Sequence, residues 1–582
     1  MEQKNVIWAI GLSLVILLGF QYFYEIPKNR ENARINSELQ QQVGVQNQVQ
    51  QPENTSTKIQ FATRNEALEK SGPRIPIMSP RLSGSIALIG ARFDDLTLTQ
   101  YRENVDVGSK NIDLLQPVGT QDSYFVEFGW ISGNSLITAL PKADTLWQTS
   151  DDKLEPGKPL HLRWDNGQGQ RFQLIFTLDE NYMVHVEQQV DNTSEKSIEL
   201  FPYSRIVRAG TPQIGGYFIL HEGLIGVAND ELKEIDYSEV QEAKKFAFDS
   251  RGGWSGFTDK YWLVALIPFQ QDQVKSGYSY LPSKNGQAEL YQVDYLLPAV
   301  TVNANSQTRS EINLFAGAKE VEQLDKYADK MAIPLFDRAV DFGWFYFLTK
   351  PIFLVLKTLY DWVGNFGVAI LLLTVFIKLL LYPLANKSYR SMAKMKLVGP
   401  EMAKLRERYG SDRQKLNQEM IALYKREKLN PAAGCLPILI QIPIFFSLYK
   451  VLFVTIEMRH APFFGWIQDL SAPDPTSILN LFGLLPWVVQ ANSFGSFLNI
   501  GIWPILMGLS MYFQQRLNPA PPDPIQAKIF KFLPILFTFM LAHFAAGLVI
   551  YWTWNNLLSI LQQRLITRDV VKAPAKKYNK SS

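Results

Sequence analysis

Apolar and polar positions follow three rhythms along this chain of 582 residues. After the polar start MEQK comes an apolar run, residues 6–24, of roughly bilayer-spanning length. It lacks an A-x-A-like cleavage site and ends in Phe20, Tyr22, Phe23 and Tyr24, aromatics that suit a membrane interface. Residues 1–26 therefore read as an uncleaved signal anchor rather than a removable signal peptide. Residues 27–57 are polar and rich in Gln and Asn, bury too little apolar surface to fold, and read as a linker. From 58 to 333 the rhythm becomes strict alternation, as in SIALIGARFDDLTLTQY, LHLRWDNGQGQRFQLIFTL, MVHVEQQVDN and AELYQVDYLLPAVTVNA. Period-two strands joined by Asp-Asn-Gly or Asp-Asn turns predict a large antiparallel sandwich.

Beyond 333 the apolar positions merge into long runs. Residues 334–365 are amphipathic and aromatic, with Lys350 and Lys357, and predict a helix lying in the interface. Pro351 and Asp361 argue against one helix continuous with the span that follows. That span is 366–384 (FGVAILLLTVFIKLLLYPL). Residues 432–567 hold four more, at about 435–454, about 497–513, within 529–543 and within 545–565. The short apolar stretch 481–490 contains Pro486 and reads as interfacial. With the anchor the topology is six spans.

Charge orients them. Between 385 and 431, twelve Lys and Arg face five Asp and Glu, whereas the stretch 455–496 has Arg459 as its sole Lys or Arg. The stretch 516–531 (Arg516, Lys528, Lys531) and the tail are basic again. Positive-inside places these basic segments and both termini in the cytoplasm and the sandwich outside. The net charge of +3 is too small to imply nucleic acid, and the single cysteine, Cys435, excludes intramolecular disulfides. His161, His185 and His221 are spaced along alternating strands, a pattern of structural or surface residues more than of a catalytic centre.

The basic segment reads as two helices. Pro400 after Gly399 should kink the first and Gly410 end it, with Ser411 and Gln414 as a capping box for the second. Met392, Met395, Met402 and Leu405 line one helix, and Leu416, Met420 and Leu423 the other. The tail 568–582, with Lys572, Lys576, Lys577 and Lys580, is too polar to fold and suits anionic lipid or ribosomal RNA.

The chemistry centres on Lys378, a full charge inside the 366–384 span. A cation there costs about 2.5–3.5 kcal/mol on insertion scales, so it needs water, a partner or a function. Thr374, Gln441, Gln514, Thr538, Asn555 and Asn556 also lie at membrane depth. Each alone reads as a helix–helix hydrogen bond; with an unpaired cation they suggest a shared wet pocket. The acidic intramembrane residue or repeated halves of a transporter are not evident. A transporter, an anchored carbohydrate-active enzyme and an assembly chaperone remain alternatives at this level.

IKLLLYPLANKSYRSMAKMK, LYKREKLNPAAGCLPILIQIPIFFSLYKVL, EMRHAPFFGWIQDLSAPDP and AGLVIYWTWNNLLSILQQ, in order over about 340–568, resemble the bacterial YidC membrane protein insertases of the YidC/Oxa/Alb family. The sandwich with RGGWSGFTDKYW and the N-terminal anchor are similar to the Gram-negative type. The resemblance implies a five-helix α-helical polytopic membrane core plus an N-terminal anchor helix, and a large all-β periplasmic supersandwich of mutarotase-like form. It implies an inner-membrane insertase and chaperone without catalytic residues, cofactor, metal or small-molecule substrate. Its cytoplasm-open hydrophilic groove carries one positive residue, which is Lys378 by motif position. Many members have arginine there; lysine keeps the charge but loses the bidentate fork. Thr374 and Gln441 match groove-lining positions, and Asn555 joins them. Tyr551 and Trp552 match the aromatic pair that meets substrate, with Phe445 beside them. The implied partners are nascent membrane proteins, the Sec translocon (SecYEG with SecDF), the ribosome and anionic lipids.

Overall fold

A computed structural model describes residues 60–132, 139–212, 220–283, 288–343, 345–410, 412–427, 429, 436–485, 499–518 and 524–572. The anchor and linker expected over 1–57 lie outside them, as does Cys435. The chain divides into two compact units with a boundary between Asp341 and Phe342.

The first unit is built from a ten-stranded and an eight-stranded antiparallel sheet. The centre of the larger sheet runs Arg92–Arg102, Tyr124–Ser132, Ile198–Ala209, Leu290–Leu296 and Gln273–Leu281. In the smaller, Trp262–Pro268, Ser306–Ala318, Met183–Asn192, Gln170–Leu178 and Leu160–Asp165 lie side by side. The predicted alternation is met residue by residue from Val184 to Asn192 in the strand Met183–Asn192. Val184, Val186, Gln188, Val190 and Asn192 are buried, while His185, Glu187, Gln189 and Asp191 are half-exposed. The expected Asp-Asn-Gly turn joins Leu160–Asp165 to Gln170–Leu178, with Gly167 and Gly169 at φ +69° and +94°. Between the sheets Phe93 meets Phe176 at 5.0 Å, and Trp130 meets Phe172 at 5.1 Å.

Two features of this unit escaped the alternation. Glu127, Arg205 and Asp294 stand opposite one another on adjacent strands. Arg205 donates to Glu127 at 2.9 and 2.7 Å with both side chains almost wholly buried. Residues 334–341, assigned from sequence to the interfacial helix, belong to the sandwich unit instead. The Trp254 indole donates to the Pro334 carbonyl at 3.0 Å, and Phe336 packs edge-on against Trp254 and Phe315. Burying Phe336 between those rings stabilises the turn.

Lys319 is also buried here, donating to Thr258 Oγ1 at 2.8 Å. Burial pulls its amine down to about 8, against the raising influence of Asp259, Asp341, Glu222 and Glu234. The unfolded amine keeps its ordinary 10.5, so between pH 8 and 10.5 the unfolded chain binds the extra proton. The burial penalty is therefore full below pH 8 and fades as pH rises through that window. Lys319→Met should stabilise the sandwich near pH 7. Its advantage over the parent should shrink by on the order of 3 kcal/mol by pH 10.5, read by hydrogen exchange across the pH series.

The second unit is helical: Tyr346–Val363, Phe366–Leu380, Tyr382–Leu397, Gly399–Tyr409, Arg413–Arg426, Leu436–Val454, Ile502–Leu517, Pro524–Leu541 and Ala546–Lys572. Pro351 sits inside the first of these without ending it. The break comes at Gly364, left-handed at φ +67°, after which Asn365 caps the next helix by accepting from the Val368 N–H at 3.0 Å. The helix expected over 366–384 stops at Leu380 because Pro383 takes the first turn of a new one, bent by 69° from it. No single described helix is long and apolar enough to cross a membrane. The bent pair Phe366–Leu380 with Tyr382–Leu397 is, taken together, and Leu439–Val454 is a shorter apolar helix.

In the basic segment the cap is Asp412, which accepts from the Gln414 and Lys415 N–H groups. Ser411 lies outside the described residues. Met402, Met420 and Leu423 make the expected hairpin core. Met392 does not join it and packs on Tyr389 and Ile566. The last helix runs on to Lys572, past the expected start of the tail, while Lys576, Lys577 and Lys580 lie outside the described residues.

Candidate functional site

The last helix carries two opposed faces. Leu557, Leu561 and Leu565, four residues apart, are 46%, 55% and 60% exposed. Asn555, Ser559 and Gln563, also four apart, are buried. Positions offset by two residues lie about 200° apart around a helix, so leucines face outward and amides and hydroxyls inward. Phe366–Leu380 also turns apolar residues outward at Phe376, Leu379 and Leu380, while its buried side mixes Thr374 with Phe366, Ala369, Ile370 and Leu373. Apolar outside and polar inside is the pattern a lipid solvent requires.

Lys378 lies in the last turn of Phe366–Leu380, half-buried. Its ammonium donates to Ser559 Oγ at 2.7 Å, and the Ser559 hydroxyl donates in turn to the Asn555 carbonyl at 2.7 Å. The Tyr389 hydroxyl stands beside Ser559. Among the described residues no carboxylate forms an ion pair with Lys378. About two turns earlier on Phe366–Leu380, the Trp554 indole donates to the Leu371 carbonyl at 3.2 Å, fixing the register of the two helices. Asn556 donates to Ser510 Oγ at 3.0 Å and ties the last helix to Ile502–Leu517.

A second cluster joins Leu436–Val454 to the last helix. The Gln441 amide donates to the Tyr551 hydroxyl, and Phe445 stands edge-on to Trp552 with centroids 4.6 Å apart. Trp552 also packs on Phe537 at 5.7 Å.

The family model described as the 60Kd inner membrane protein matches residues 358–573, and that of the YidC periplasmic domain matches residues 74–355. A membrane protein insertase YidC from Granulibacter bethesdensis is 50% identical over 580 residues, covering 98% of each chain. One from Bradyrhizobium diazoefficiens is 47% identical over 596 residues, covering 97% of this chain and 96% of that one. This chain belongs to the YidC family. A solved active YidC insertase with its first transmembrane domain resolved aligns over 87% of this chain and 93% of that one. Its identity is 16% and its TM-score 0.36, and family membership rests on the full-length relatives instead.

The YidC family is one of inner-membrane insertases with a periplasmic domain, not of enzymes. His161 contacts Asp151, His185 contacts Asn313, and His221 contacts Asp236, three separate neighbourhoods. Of the expected groove residues, Lys378 and Asn555 are linked through Ser559. Gln441 is bonded to Tyr551 instead. Thr374 is buried, with its hydroxyl spent on the Ile370 carbonyl of its own helix at 2.6 Å. Tyr551 is buried as well, whereas Phe445 and Trp552 are half-exposed. Thr538 donates to the Pro534 carbonyl at 2.8 Å and closes over Gly508, where a Cβ would come within 2.0 Å of its oxygen. Sequence reasoning missed Ser559 and Tyr389. The four-residue ladder Asn555, Ser559, Gln563 was the signal for the first.

Proposed function

We propose that this chain inserts newly made integral proteins into the bacterial inner membrane and helps them fold, alone or with the Sec translocon. The observation that carries the reading is a half-buried ammonium at Lys378, held by a neutral hydroxyl rather than a carboxylate, within helices whose outer faces are leucine and phenylalanine. Such a charge attracts an acidic segment of an incoming chain and lowers the cost of bringing polar residues into the bilayer. The 15-residue helix Phe366–Leu380 is about 22 Å long against a hydrocarbon core of about 30 Å, which supports a locally thinned, hydrated membrane. Phe445 and Trp552 offer a half-exposed aromatic surface along which an apolar segment moves out into lipid. Lys378, Thr374, Gln441 and Asn555 are the groove set in this reading. The basic hairpin and tail, with Lys572, Lys576, Lys577 and Lys580, recruit the ribosome or anionic lipid from the cytoplasm, and the sandwich lies in the periplasm.

Photocrosslinkers at positions 441 and 552 should capture a ribosome-stalled nascent chain carrying an acidic exported tail. One at Leu561, on the leucine face, should capture far less. Equal capture from all three positions, or none from 441, would reject the groove.

A further inference from the structure

We propose that Ser559 is a positioning residue, a neutral placeholder that holds the Lys378 ammonium until a client carboxylate displaces it. This rests on the reading of Lys378 as the cation that meets clients.

The Ser559 hydroxyl has one proton to give, and it is committed to the Asn555 carbonyl one turn back at 2.7 Å. Its lone pairs therefore face Lys378, whose ammonium approaches to 2.7 Å, and the Tyr389 hydroxyl beside it. Ser559 is buried, and the Trp554 bond to Leu371 holds the two helices in register, so the acceptor is fixed in place. An ammonium has three N–H donors, and one is used here among the described residues. The remaining two, unspent among the described residues, can meet a ligand while the first keeps the head group from swinging toward the nearest water. A neutral hydroxyl suits this role because it is the weaker partner. A carboxylate makes charge-assisted bonds roughly twice as strong, so an acidic client can take the ammonium from Ser559 and later release it when the segment moves on. A built-in carboxylate at this place would neutralise the cation permanently.

The discriminating quantity is the ratio of insertion rates for an acidic-tailed client and the same client with a neutral tail. Both rates are measured with the full-length protein in membranes. Ser559→Asp should lower that ratio about tenfold, the step expected when a neutral acceptor becomes a charge-assisted one. Ser559→Ala, which frees the ammonium to wander, should lower it about threefold, the loss of one modest hydrogen bond, and Ser559→Thr should restore it. A purely structural serine would slow both clients alike and leave the ratio unmoved. If Ser559→Asp fails to accumulate, the Ala and Thr pair carries the test. An unchanged ratio in the serine variants, with Lys378→Met collapsing it, overturns the placeholder and leaves the cation's role standing. An unchanged ratio in Lys378→Met as well overturns both.

Discussion

Lys378→Glu should reduce insertion of a client with an acidic exported tail on the order of a hundredfold, the largest functional loss expected from one substitution here. The variant turns attraction into repulsion at the point where the tail enters. At an effective dielectric near 20, a charge pair at contact interacts by up to about 4 kcal/mol, so reversing one sign swings the interaction by up to about 8 kcal/mol, and a net change of about 3 kcal/mol is a modest share of it. Each 1.36 kcal/mol is about tenfold in rate. The local geometry adds to the penalty. Ser559 turns its lone pairs toward position 378 because its proton is committed to the Asn555 carbonyl, so a carboxylate there meets an acceptor and not a donor. Lys378→Arg keeps the charge and should insert both clients at near-parental rates. A neutral-tailed client should lose far less than the acidic one in Lys378→Glu. The measurement is protease protection of the exported tail, normalised to the amount of insertase in the membrane. Parental insertion of the acidic client by a normally accumulating Lys378→Glu variant would remove the electrostatic role altogether.

The sandwich was legible because strand alternation is a local signal. The quoted stretches became Leu82–Ala87, Arg92–Arg102, Leu160–Asp165, Gln170–Leu178, Met183–Asn192 and Leu290–Leu296, with turns where Asn and Gly stood. Lys378 was legible too, since a charge in an apolar run announces itself. Other features depended on distant partners. Ser559 is an ordinary residue in an apolar helix until its contact with Lys378, 181 positions away, is known. Thr374 looked available in sequence, yet its hydroxyl is satisfied within its own helix. The helix end at Leu380 was carried by Pro383, which was visible, but the apolar run Leu379, Leu380, Leu381 outweighed it in a hydropathy reading. The break at Gly364 needed the backbone angle, because Pro351 and Asp361 were the more conspicuous signals and neither ends the helix.

Charged residues in alternating strands are read as solvent-facing, and for Glu127 and Arg205 that reading fails. Their side chains are about 5% and 4% exposed, and one carboxylate oxygen of Glu127 has no hydrogen-bond partner beyond a 3.7 Å approach of Arg92. A buried pair of this kind contributes little net stability, but removing one member strands the other. Arg205→Ala should therefore destabilise the sandwich by about 3–5 kcal/mol. The loss should appear as faster hydrogen exchange in Tyr124–Ser132 and Ile198–Ala209, the two strands the pair joins. Replacing both residues, as in Glu127→Met with Arg205→Met, should recover part of the loss, since neither member of the pair is then stranded. Asp294 keeps the Gln292 amide at 3.0 Å but loses the Arg205 charge, and Arg92 loses the Glu127 oxygen. The exposed pair Lys70 and Glu66 is the internal comparison, at 2.8 Å but in water, and Lys70→Ala should leave exchange in the sandwich strands at parental rates. An Arg205→Ala protein with parental exchange rates in both strands would mean that water already reaches Glu127, and that the row across the larger sheet is a solvated surface.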